Sequence, residues 1–174
     1  MKRVLIADDE PIERMIVTRT IQKYFPEELA VVSAVNGREA VEQFFAENCQ
    51  IALLDIEMPG MSGLEAAEQI RERDKNCSII FLTAFDEFNY ARRAIAVRAM
   101  EYLLKPVVDQ ELEAVLAEAI RIADEVTDDR EAGEKKEDEP VFAERDCHED
   151  AADTERSRIR LQAVAGNIQA FIEH

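Results

Sequence analysis

LLDIEMPGMSGLEAAEQIR, residues 53–71, holds a strand, a turn and a helix in immediate succession. The run Ile51–Leu54 is apolar without alternation, as expected of a strand buried on both faces, and it runs straight into Asp55. Pro59-Gly60 reads as a turn. From Gly63 to Arg73 the apolar residues Leu64, Ala67 and Ile70 recur at threes, which places them on one face of a helix.

Four more runs of the same kind flank this unit: Val4–Ala7, Leu29–Ala34, Ser78–Leu82 and Glu101–Leu104. The intervals between them carry helical spacing. Pro11–Phe25 is expected to place Ile12, Met15, Ile16, Ile21 and Tyr24 near one stripe. Asn36 is a good N-cap for Gly37–Ala46, whose inner face takes Ala40, Val41, Phe44 and Phe45. Asp86–Val97 offers Phe88, Ala91, Ala94 and Ile95, and Asp109–Asp124 offers Leu112, Val115, Leu116, Ala119 and Ile122. The alternation predicts a (βα)₅ α/β fold, a three-layer sandwich with a parallel sheet, right-handed crossovers and helices on both faces.

Composition narrows the function. The chain has 174 residues, 47% of them apolar, and a formal net charge of −17. That charge speaks against a broad basic face for nucleic acid. The acid is uneven: Asp+Glu against Lys+Arg is 24 to 14 over residues 1–125, 12 to 4 over 126–153, and 2 to 3 over 154–174. Cys49, Cys77 and Cys147 are odd in number and lack metal-ligand spacing, which suits a reducing cytosol. The first apolar run ends at Asp8-Asp9-Glu10, too soon for a signal peptide, and no stretch approaches transmembrane length. A cytoplasmic protein without membrane contact is expected.

After Glu125 the periodicity stops. Val126–Asp153 is charged, contains Gly133 and Pro140, and reads as a solvated, disordered linker. It returns in 154–174, where Leu161, Val164, Ile168 and Phe171 share one face of an amphipathic helix. The expected organisation is therefore a domain over 1–125, an acidic linker over 126–153 and a helix over 154–174.

Four of the five strand-like runs end in a polar residue: Asp8-Asp9, Asp55, Thr83 and Lys105. Singly, each has an ordinary explanation as a turn residue, a cap or a surface charge. Together, in an open parallel sheet that binds ligands outside the carboxyl ends of its strands, they converge on one rim. Three carboxylates held close repel one another unless a cation sits among them. Mg²⁺ prefers oxygen ligands and keeps several waters, so Asp8, Asp9 and Asp55 are candidate ligands, directly or through water. A carboxylate can attack phosphorus to give an acyl phosphate, a step helped mainly by positioning and charge neutralisation. Lys105 and Thr83 would serve the phosphoryl oxygens.

VLIADDEP (4–11), LLDIEMPGMSGLEAAEQIR (53–71), IIFLTAF (79–85) and YLLKPV (102–107) resemble, in order and spacing, the four signature segments of bacterial two-component receiver domains across residues 1–125. The resemblance implies a flavodoxin-like fold with strand order 2-1-3-4-5. It implies Asp55 as phosphoacceptor, fed by a sensor histidine kinase, with Mg²⁺ on Asp8, Asp9, Asp55 and the backbone carbonyl of Glu57. It makes Thr83 and Lys105 phosphate-sensing, Thr83 and Tyr102 the switch, and Lys105-Pro106 a candidate cis peptide bond. The readout is then the surface of the fourth helix, fifth strand and fifth helix, which also serves a homodimer. Glu57 and Phe85 occupy positions that vary in the family, and bulky Phe85 is expected to shield the phosphate from water.

FDEFNYARRAI (85–95) followed by YLLKPV looks like receivers joined to AraC-type transcription modules, and NIQAFIEH (167–174) resembles the opening of such a module. An ordinary amphipathic helix explains the latter spacing equally well. If the resemblance holds, DNA binding belongs to a longer protein, since nothing here supplies two helices with a recognition face. Two alternatives compete: a stand-alone receiver acting as a relay or docking protein, and a haloacid-dehalogenase-like phosphatase. The phosphatase needs Asp-x-Asp after the first strand, where this chain has Asp8-Asp9-Glu10. A flavin or nucleotide site lacks its glycine-rich loop.

Overall fold

A computed structural model describes residues 1–84 and 93–134, the last eight of these by backbone alone. The order is β1 (Lys2–Ala7), α1 (Pro11–Tyr24), β2 (Leu29–Ala34), α2 (Gly37–Ala46), β3 (Ile51–Asp55), α3 (Gly63–Arg73), β4 (Ser78–Thr83), the helical residues 93–96 labelled α4, β5 (Glu101–Leu104) and α5 (Asp109–Glu134). The five strands form one parallel sheet in the order β2-β1-β3-β4-β5. The expected (βα)₅ flavodoxin-like architecture is the one observed.

Strand alternation divides the core into two layers. Ala52 and Leu54 of β3, with Ile79 and Phe81 of β4, face α2, α3 and α4. Ile51 and Leu53, with Ile80 and Leu82, face Val17 and Ile21 of α1 and Leu112, Leu116 and Ala119 of α5. Both sheet faces are covered, which is why the central strands read as unbroken apolar runs.

Two sequence expectations change. In α1, Ile12, Met15 and Ile16 do not join Ile21 and Tyr24 in an inward stripe. They are 65%, 59% and 46% exposed, while Val17, Thr20 and Ile21 are buried. At 100° per residue, the first three lie opposite the buried face, so the helix carries two apolar sides and the sheet takes only one. The fifth helix also runs through Glu134 rather than ending near Asp124, so residues 126–134 are helical rather than disordered. Extending an existing helix adds one hydrogen bond per residue with no nucleation cost.

The rest of the linker, the helix over 154–174, Phe85 and the segment 86–92 lie outside the described residues. The chain divides into units Met1–Val126 and Thr127–His174. Among the described residues, no helix is long and apolar enough to cross a membrane.

Candidate functional site

The parallel register determines which residues meet. Ala7 lies level with Leu54, Asp55 with Leu82, and Thr83 with Leu104. Asp55 and Thr83 are the last residues of their strands, and Asp8 and Lys105 are the first residues past theirs. Asp8 therefore comes level with Asp55, Thr83 stands one step further along, and Lys105 one step beyond that. A long side chain is needed to reach back from there, and Lys105 provides it. Its Nζ donates to Asp8 Oδ2 at 2.6 Å and to Asp55 Oδ2 at 3.1 Å.

The cluster is largely shielded from water. Asp8 is 1% exposed, Asp55 6% and Thr83 fully buried, whereas Asp9 is exposed at the rim. Ligand oxygens of Asp8, Asp9 and Asp55 all lie within 4.8 Å of one another. Burial pushes the Asp55 carboxyl above its ordinary value and the Asp8 charge adds to this, against the lowering pull of Lys105 and of the Glu57 backbone N–H. For Lys105, burial works to lower the pKa, but the hydrogen bonds and charges of Asp8 and Asp55 outweigh it and the net shift is upward.

Local structure holds each element in place. Asn36 accepts the Glu39 N–H at the start of α2, as its N-cap role requires. Ser62 and Glu65 form a reciprocal capping box at the start of α3. Gly63 donates to the Ile56 carbonyl at 3.0 Å, and a Cβ added to it would sit 1.9 Å from the Asp55 carbonyl oxygen. No other residue fits there, so α3 starts directly against the backbone of the candidate acceptor. Gly60, at φ +81°, completes the turn after Pro59.

Every polar group of Asp8 has a partner. Its N–H donates to Ala34 O, its Oδ1 accepts the Glu10 N–H, its Oδ2 accepts Lys105, and its carbonyl accepts Arg14 Nη1 at 2.6 Å. The sequence reading did not single out Arg14 or Gly63. The Ser-x-x-Glu spacing at Ser62 and Glu65 signals the start of α3 and so points toward Gly63; nothing local marks Arg14.

The other predicted residues are placed as follows. The Lys105 N–H donates to the Thr83 carbonyl at 2.8 Å, which ties the ends of β4 and β5 together, and the Lys105-Pro106 peptide bond is cis. Tyr102 is half-buried against the α2–α3–α4 side of the core. Glu57 lines an open cleft beside the site with Asp9, Met58, Ser62 and Arg93.

Known proteins resemble this chain. The model of the response regulator receiver domain matches residues 4–117. The positive alginate biosynthesis regulatory protein of Pseudomonas aeruginosa is 41% identical over 118 residues, covering 68% of this chain and 47% of that protein. The transcriptional regulatory protein YesN of Bacillus subtilis is 33% identical over 120 residues, covering 69% of this chain and 33% of that protein. The chain thus spans less than half the length of these curated relatives. Among solved structures, the response regulator TrrA of Thermotoga maritima in complex with Mg²⁺-BeF is 39% identical with a TM-score of 0.61, covering 68% of this chain and 99% of that one. Fold, rim chemistry and these matches agree, and the chain belongs to the family of response regulator receiver domains.

Proposed function

We propose that this domain is a Mg²⁺-dependent phosphorylation switch in which Asp55 accepts a phosphoryl group from a sensor histidine kinase. The observation that carries the reading is the bridge from Lys105 to Asp8 and Asp55, with an Asp9 carboxylate oxygen within 4.8 Å of theirs. Three carboxylates against one ammonium leave two negative charges uncompensated, the charge of one divalent cation. The donor set is all oxygen, which suits Mg²⁺, with Asp8, Asp9, Asp55 and the Glu57 backbone carbonyl as its protein ligands. When bound, Mg²⁺ neutralises charge on the carboxylates and on the transferred group.

The residues divide the work. An Asp55 carboxylate oxygen attacks phosphorus as the bond from phosphorus to the donor nitrogen breaks, giving an aspartyl phosphate. Lys105, already between Asp8 and Asp55, turns its ammonium to a phosphoryl oxygen, and the Thr83 hydroxyl donates to another. Movement of Thr83 opens space for the half-buried Tyr102 ring, and the bias between two existing states is read on α4, β5 and α5, the face we assign to a homodimer. A shielding role for Phe85 belongs to the same reading; an unchanged dephosphorylation rate in Phe85→Ala would remove it. The exposed apolar face of α1, directly after Asp8-Asp9, is the surface we assign to the docking kinase. Control of transcription falls to a longer protein carrying a DNA-binding module, in the cytoplasm. The chain itself acts as a binding switch rather than a turnover enzyme. A phosphatase using Asp8 as nucleophile finds no support, because Asp8-Asp9-Glu10 follows β1 where that chemistry needs Asp-x-Asp.

Incubation with a small acyl phosphate and Mg²⁺ tests the reading. One hydroxylamine-labile phosphoryl group per chain is expected, absent in Asp55→Asn and absent without Mg²⁺. Labelling that persists in Asp55→Asn sinks it.

A further inference from the structure

We infer that Arg14 is a positioning residue for the metal-binding carboxylates, acting through the main chain of Asp8. The inference rests on the receiver reading and extends it to a residue outside the acidic cluster. β1 ends at Ala7, so the Asp8 carbonyl lies just past the last paired residue of the strand. Asp8 is 1% exposed, and a buried carbonyl without a donor is costly. Arg14, one turn into α1, supplies that donor: its Nη1 stands 2.6 Å from the Asp8 oxygen. It is the only hydrogen bond made by this guanidinium among the described residues.

The consequence falls on Asp9. The peptide unit that Arg14 holds links Asp8 to Asp9, and its orientation aims the Asp9 carboxylate. Asp8 is pinned independently through Ala34, Glu10 and Lys105. Asp9 is exposed and is the member of the triad with least support of its own. Arg14 also brings positive charge toward a site built for a cation, and charge alone would weaken metal binding. The two roles predict opposite signs. If Arg14 acts by charge, removing it tightens Mg²⁺ binding. If it acts by position, removing it loosens Mg²⁺ binding, as losing the support of a metal ligand does.

Isothermal titration of the full chain with Mg²⁺ alone reads the sign. Arg14→Ala is expected to bind Mg²⁺ about tenfold more weakly, with an unfolding midpoint in EDTA lowered by the loss of the Asp8 carbonyl's donor. Arg14→Lys, which keeps a charged donor, is expected to recover part of the loss. Arg14→Met keeps the apolar stem and takes over the test if the alanine variant does not fold. Parental or tighter affinity in a folded Ala or Met variant overturns the inference, as does a fall in stability with affinity unchanged. A parent chain that binds no Mg²⁺ overturns both this inference and the receiver reading, whereas a parent that binds Mg²⁺ and accepts phosphate on Asp55 leaves only Arg14 at stake.

Discussion

The two ends of the sheet solve opposite problems with the same five strands. At the amino ends, the buried side chains are neutral. The thiols of Cys49 and Cys77 are both pushed up to about 11, chiefly by burial, so they stay protonated. Charges at that end pair near solvent, as in Lys2–Asp124 and Arg3–Glu47, where Lys2 is 21% exposed and the acids are 61% and 47% exposed. At the carboxyl ends, two carboxylates and an ammonium lie among apolar strands with a third carboxylate at their edge. One end is built to be quiet and the other holds unbalanced charge that a cation and a phosphoryl group then rearrange. Strained or destabilised arrangements of this kind belong at functional sites, where stability is traded for activity.

The contrast breaks most severely at Lys105. Lys105→Met leaves Asp8 and Asp55 without their cation, and the metal-free chain should lose about 3 kcal/mol at neutral pH. Mg²⁺ or acid should restore most of that, and denaturant melts with and without Mg²⁺ would show it. A loss indifferent to Mg²⁺ would mean that Lys105 acts through packing alone. Next comes Gly63→Ala, which forces a Cβ onto the Asp55 carbonyl oxygen and should cost about 2 kcal/mol together with slower phosphorylation. Gly60→Ala is its control: open space surrounds the position and only the positive φ opposes it, so it should cost about 1 kcal/mol and leave phosphorylation nearly intact.

Smaller effects sharpen the same contrast. Because Asp55 has a raised pKa when folded, the folded chain holds that proton more tightly than the unfolded chain does. Its contribution to stability is therefore complete below the unfolded value and is lost as pH climbs through the raised folded value. Asp55→Asn removes this dependence. Without metal, the variant should gain on the parent in melting temperature as pH rises from the ordinary aspartate value of 3.8 through the raised folded value. A constant difference over that range would contradict the assigned shift. Ser62→Ala removes one half of the capping box and should cost about 1 kcal/mol, read from a chemical melt. At the quiet end, Lys2→Ala breaks an ion pair whose acid is exposed and should change stability by no more than about 0.5 kcal/mol, with phosphorylation unaltered.

Unbroken apolar runs and helical spacing were enough to read the five strands, the first, second, third and fifth helices and the (βα)₅ class, because both signals are local to a few residues. Sheet order came through the resemblance. The polar residue after each strand was equally visible, so Asp8, Asp9, Asp55, Thr83 and Lys105 could all be singled out from the chain itself. α1 was misread because it has apolar residues on two sides, and periodicity alone does not say which side meets the sheet. The end of α5 differs because high charge suggests a disordered stretch, whereas an established helix gains one hydrogen bond per added residue without a new nucleus.

What the chain determined by itself was the kind of each element and the residue that closes each strand, since these depend on neighbours one to four positions away. Tertiary structure decided the rest: that Asp8 and Asp55 come level, that Lys105 reaches both, that α3 begins against the Asp55 backbone and that Arg14 holds the Asp8 carbonyl. Those facts depend on the register between strands far apart in sequence and on how closely a helix approaches a strand end, and no local pattern of residues encodes either distance.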